Sequence, residues 1–188
     1  MEYHARRDAL ERERTYRLTP DSLAIEEVGV PSRVVPYAEI SKIRLRFFPT
    51  RFQTNRFECL VYFRGERLRI SNEFYLGFAR FEDRSSGYRS FVVELCRRVG
   101  AARREAEFVT GREAWLLNLE IGFCVLMAWL LAWVLWLTGG PSRTLVWAKL
   151  GIIAFFIPVL VLYVKRNRPA RFEPDAVPEQ VLPPAPKA

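Results

Sequence analysis

Residues Lys42–Phe47 read Lys-Ile-Arg-Leu-Arg-Phe, an unbroken alternation of basic and apolar side chains. Successive side chains of a β-strand point to opposite faces. Ile43, Leu45 and Phe47 therefore share one face, and Lys42, Arg44 and Arg46 the other. Two more strand-like runs follow. Phe57–Arg64 and Glu66–Ser71 meet across Gly65, and Leu68 and Ile70 alternate with Arg67 and Arg69. Upstream, Thr15–Leu18 and Ser22–Val28 flank Thr19-Pro20-Asp21, a turn composition, and Val34–Ile40 follows a break at Gly29 and Pro31. The pattern predicts several short antiparallel strands with one face buried.

A helix is expected to close this sheet. Tyr88, Phe91, Val92, Leu95, Cys96 and Val99 fall at i, i+3, i+4, i+7, i+8 and i+11, a single apolar stripe. Ser85 or Ser86 is the N-cap candidate, and Gly100 the candidate stop. Such a stripe has to cover a sheet or a barrel mouth to be buried.

Further on, the composition changes abruptly. Residues 115–137 read WLLNLEIGFCVLMAWLLAWVLWL and residues 145–164 read LVWAKLGIIAFFIPVLVLYV. Each run has the length an α-helix needs to cross a hydrocarbon core of roughly 30 Å at about 1.5 Å per residue. The turn between them, 138–144, holds Gly139, Gly140, Pro141 and Ser142. The expectation is a transmembrane hairpin. Arg103, Arg104, Arg112, Lys165, Arg166, Arg168 and Arg171 flank its outer ends, against Arg143 and Lys149 near the turn, a bias that places both termini in the cytoplasm. Met1–Arg14 is highly charged and lacks the apolar centre of a signal peptide.

The organisation expected is a charged arm (1–13), a folded cytoplasmic domain (14–104), a linker (105–114), two membrane helices around an extracytoplasmic turn, and a tail (165–188). That tail begins basic, then carries Pro169, Pro174, Pro178, Pro183, Pro184 and Pro186, a composition expected to be extended or disordered. Residues 1–113 hold 22 Lys and Arg against 17 Asp and Glu, and only four Lys occur in the whole chain beside 25 Arg. The basic content suits attraction to an anionic leaflet, and the preference for Arg over Lys equally suits a genome rich in G and C. Cys59, Cys96 and Cys124 are unpaired in spacing, which argues for a reducing compartment and against a disulfide framework or a zinc site.

The stretch Val34-Val35-Pro36-Tyr37-Ala38-Glu39-Ile40, followed by Ile43, resembles the apolar-Pro-Tyr-x-x-Ile-x-x-Ile signature of bacterial membrane proteins with a pleckstrin-homology (PH)-like domain. Ser71-Asn72 through Tyr75 to the Tyr88/Phe91/Leu95 helix is similar to the end of that domain. The resemblance covers roughly residues 14–100. It implies an α+β fold, a PH-like antiparallel β-barrel or sandwich capped by one C-terminal helix, and supplies no catalytic residues. Many such proteins place the hairpin before the domain, whereas here it follows.

Enzyme chemistry finds little support. The single His4 lies in the charged arm, no phosphate loop, nucleophile elbow or HExxH helix occurs, and no cofactor or metal is implied. The surface candidate is the basic-aromatic segment with Lys42, Arg44, Arg46 and Arg51, extended by Arg67 and Arg69. It reads as a contact for anionic lipid or a protein partner, or as charge that keeps an exposed face soluble. Nucleic acid is not expected. Asn118 and Glu120 stand inside the first apolar run, where a carboxylate is costly unless paired or near water; Tyr163, or Asn118 of a second copy, is the better-placed partner. The function expected is a non-enzymatic scaffold or binding module at the cytoplasmic face of a bacterial inner membrane, embedded in its lipids. The alternative is an accessory subunit of a larger membrane enzyme or transporter. A membrane-protein partner or a homo-oligomer fits either.

Overall fold

The computed structural model describes residues 1–6, 11–49, 55–77, 80–138 and 168–184. Its contacts divide the chain into two compact units, residues 1–111 with 170–188, and residues 112–169.

In the first unit, β1 (Glu2–Ala5), β2 (Arg14–Leu18), β3 (Ser22–Glu27) and β4 (Val30–Pro36) form an antiparallel meander in sequence order. The second sheet has the order β10-β5-β6-β7, from β5 (Ile40–Phe47), β6 (Phe57–Phe63), β7 (Glu66–Ser71) and β10 (Glu107–Thr110). A two-stranded ribbon, β8 (Glu73–Gly77) with β9 (Arg80–Asp83), leads into helix α1 (Ser85–Ala102). Gly65, with φ +78°, makes the β6–β7 turn that a side chain would strain.

The apolar half of the Lys42–Phe47 alternation sorts as expected. Ile43 and Leu45 are fully buried beside Cys59, Val61 and Ile70, and α1 lays Tyr88, Phe91, Val92, Leu95, Cys96 and Val99 into the same core. Tyr3 and Tyr16 bring rings from the first sheet onto Phe91. Tyr3 also donates to the Ser71 carbonyl at 2.6 Å, which ties β1 to the end of β7. Buried Asn72 fastens the start of α1: it accepts from the Phe57 amide at 2.7 Å and donates to Ser85 Oγ at 2.9 Å. The helix start is not capped by Ser85. Asp83 accepts from the Ser85 amide at 2.9 Å instead.

Several expectations require correction. The strands form two separate sheets and a ribbon rather than a closed barrel, and β10 runs parallel to β5, so the sheet is not purely antiparallel. Nor is α1 the last element of its unit. The segment expected as a linker contains β10, because Phe108 is needed to continue the apolar face of β5. The arm contains β1, whose Tyr3 and Ala5 are buried while Glu2 and His4 face outward. The proline-rich tail is not a free extension: Phe172, Val177, Val181 and Leu182 pack on the core.

The membrane hairpin is corrected as well. Residues Ala114–Thr138 do form a helix, α2. Among the described residues no helix is long and apolar enough to cross a membrane. The second run, 145–164, and the turn from Gly139 onward lie outside the described residues. Assignment as a multi-pass protein of a bacterial inner membrane therefore loses its basis.

Candidate anion-binding face

The register of the second sheet decides what its outer face contains. Lys42 stands between Glu107 and Tyr62, with Arg67 beyond Tyr62. Arg44 stands between Val109 and Leu60, with Arg69 beyond Leu60. Arg46 faces Glu58, with Ser71 beyond. Side chains at these alternate positions all project away from the α1 core. The sequence reading expected a solvated basic stripe here. The structure instead shows a layer of charge that is itself partly buried.

Its centre is Glu58, which is fully buried. Its carboxylate lies 2.5 Å from Arg46, 2.9 Å from Arg56 and 3.9 Å from Arg69. Arg46 grips one oxygen through both Nε and Nη2, at 2.8 and 2.5 Å. A lone buried carboxylate would be costly, and three cations around it offset that cost. The converse also holds: one negative charge is shared among three positive ones.

Arg44 sharpens the imbalance. It is 7% exposed, and its Nη1 donates to the Gly111 carbonyl at 3.4 Å. Its Nε has no hydrogen-bond partner, and among the described residues no carboxylate lies within ion-pair distance of it. Leu60, 1% exposed, sits between Arg44 and Arg69, so their aliphatic stems flank an apolar residue on this outward face. At the edge, Lys42 pairs with Glu107 at 2.9 Å, and Arg171 approaches the same carboxylate at 3.5 Å. The hydrogen bond from Lys42 and its charge lower the Glu107 pKa.

Of the six cations expected as a contact surface, five are therefore placed. Lys42, Arg44, Arg46, Arg67 and Arg69 share one face, while Arg51 lies outside the described residues. Of these five, Arg67 alone is exposed. Sequence reasoning missed Glu58 and Glu107. Glu58 was legible, being the one acidic residue of a strand that otherwise reads Phe-Cys-Leu-Val-Tyr-Phe, and a hairpin at Gly65 sets it across from Ser71. Glu107 was hidden because nothing local marks a four-residue strand after a helix. On α2, Asn118 is exposed, and the Glu120 side chain and Tyr163 lie outside the described residues.

Among the described residues no group of three or more His, Cys, Asp or Glu side chains converges as metal ligands would. His4 Nδ1 lies 2.9 Å from Thr15 Oγ1 across the β1–β2 pair. Cys59 and Cys96 are free thiols buried in the core, and desolvation pushes Cys96 up to about 12, far from a reactive thiolate. Comparison with family models, curated proteins and solved structures finds no match to this chain. The resemblance to PH-like proteins thus rests on the residues that suggested it.

Proposed function

We propose that the protein is a non-enzymatic binding module and that the outer face of β10-β5-β6-β7 recognises an anionic group. The observation that carries this reading is the charge surplus of this face, with Lys42, Arg44, Arg46, Arg56, Arg67 and Arg69 against Glu58, Glu73 and Glu107, together with a buried guanidinium whose Nε is unsatisfied. Burying a cation without a counter-ion is costly, and an incoming phosphate or carboxylate offsets that cost through charge-assisted hydrogen bonds. The same chemistry is offered by an acidic lipid headgroup and by free phosphate. Titration of the full chain with inorganic phosphate and with vesicles rich in acidic phospholipid separates the two sources. Binding should weaken as salt rises, because the electrostatic reach shrinks to about 8 Å at physiological ionic strength. Replacing Lys42 and Arg67 by Gln should weaken it several-fold without unseating Glu58. No response to either ligand at low salt would overturn the reading.

A second reading, an accessory subunit of a larger assembly, is favoured by α2. Trp115, Leu119, Phe123, Leu126, Trp129 and Trp133 are each about half exposed or more. A helix with apolar side chains on every side gains from being covered. Purification of the full chain from its native source, with a stoichiometric partner retained, would favour this reading.

A further inference from the structure

The C-terminal segment meets the first unit in a way that a disordered tail would not. It enters beside β10: the Thr110 amide donates to the Ala170 carbonyl at 2.7 Å, and the Phe172 amide donates to the Phe108 carbonyl at 3.1 Å. Phe172 then packs edge-on against Phe108. Pro174 rests against α1 at Gly100, where an added Cβ would come within 2.5 Å of the proline ring. Gly100 is thus no helix stop, since α1 continues to Ala102. It is the notch that admits the segment. About three turns toward the start of α1, Arg89 clamps both carboxylate oxygens of Glu179 and donates to the Pro183 carbonyl at 2.9 Å. Val181 and Leu182, 4% and 3% exposed, fill the space beneath.

These contacts have the anatomy of a bound peptide. Past Phe172 they consist of side-chain seats and one arginine clamp rather than a strand ladder. Glu179–Val181 forms a 3-10 turn within it, and the fixed φ of Pro174, Pro178 and Pro183 reduces the conformational freedom lost on docking. Glu173, Asp175, Ala176, Glu179 and Gln180 remain exposed along it. Residues 112–169 separate it in sequence from residues 1–111, with which it forms one compact unit.

We propose that the side of α1 and β10 is a peptide-recognition groove which the chain occupies with its own Phe172–Pro183. A partner protein would compete for it with a segment of like chemistry and the same 3-10 turn: a carboxylate, then, two residues on, an aliphatic pair followed by proline. Because the resident segment belongs to the same chain, its docking is intramolecular and the groove is closed to weak competitors.

The probe is a labelled synthetic peptide of residues 170–184, added to the full chain. The wild type should bind it poorly. A chain with Glu179→Ala and Leu182→Ala, which loosens the resident segment and leaves the groove intact, should bind it at least tenfold more tightly. Adding Arg89→Ala to that chain should abolish the gain. Amide exchange supplies the control. In the wild type, the Val181 and Leu182 amides should exchange faster than those of Phe91–Leu95, because the segment opens without the core. The proposal is overturned if the peptide binds neither chain while α1 stays protected. It is equally overturned if the double variant strips protection from α1, or if segment and helix exchange together, since the segment is then a fixed part of the core.

Discussion

The two faces of the β10-β5-β6-β7 sheet are built from the same strands and buried for opposite reasons. Inside, Ile43, Leu45, Val61 and Ile70 lie against α1, and loss of apolar surface to water accounts for their placement. Outside, Glu58, Arg44 and Arg56 are nearly as inaccessible, yet each is charged. That layer persists only because its charges are set against one another. Period-two alternation therefore identifies which residues share a face. It does not say that the polar face is wet.

The largest effect expected follows from that difference. Glu58→Ala removes the buried carboxylate that Arg46, Arg56 and Arg69 share, at a cost of about 3–5 kcal/mol. Leu95→Ala strikes the inner face and should cost about 2–5 kcal/mol, through lost burial and the cavity left behind. All five tryptophans fall within residues 112–169, so their fluorescence does not report this unit. Amide exchange across α1 in the full chain is the suitable measurement. If inorganic phosphate restores a large part of the Glu58→Ala loss and none of the Leu95→Ala loss, the outer layer is an anion site. A Glu58→Ala variant as stable as wild type would reduce the outer face to surface charge.

A partly buried carboxylate with a single one of those cations acting on it, Arg56, provides the next comparison. Glu73, on β8, is partly buried and its Oε2 has no hydrogen-bond partner. Desolvation raises its pKa to about 7, opposed by the charge of Arg56. Its folded pKa lies above its unfolded value, so its contribution is fully present below about 4.3. That contribution is lost as pH rises through about 7. Glu73→Gln should accordingly stabilise the unit by about 1 kcal/mol at pH 8, a figure reduced for partial solvent screening, and leave pH 4 unchanged. A variant whose stability tracks wild type at every pH would show that the carboxylate is solvated.

How much of this could be read in advance depends on the range of the interaction. The strands over 14–18, 22–27, 57–63 and 66–71 and the stripe of α1 follow local rules of period and turn, and the sequence showed them. β1, β10 and the docking of Val181 and Leu182 did not show, because each is a short segment stabilised by a distant surface rather than by its own pattern. Tyr3 needs Phe91, Phe108 needs Phe172, and Glu179 needs Arg89, ninety residues away. The candidate site divides the same way. The cations were legible as an alternation. The carboxylates that make them a site emerge only from strand register.

The smallest effect separates two neighbouring arginines on α1. The sequence assigns Arg97 and Arg98 alike to the solvated side of the helix, with a change of less than about 0.5 kcal/mol on replacement by Ala. Both bond Glu94, at 2.8 and 2.7 Å, and those bonds hold its carboxyl down at about 2. Arg97 has 62% of its side chain exposed, whereas Arg98 is 27% exposed and also donates to the Thr19 carbonyl at 2.5 Å. That second bond joins α1 to the β2–β3 turn of the other sheet. Arg97→Ala should then cost no more than about 0.5 kcal/mol, as exposed helix pairs do. Arg98→Ala should cost about 1 kcal/mol, because a hydrogen bond between elements is lost with the ion pair. Since the Glu94 pKa is lowered on folding, the ion-pair share is present above about 4.3 and disappears as pH falls through about 2. The Thr19 bond does not titrate there. A gap between the two variants that survives at pH 2 identifies the Thr19 bond as its source. Equal losses at neutral pH would return Arg98 to the solvated surface.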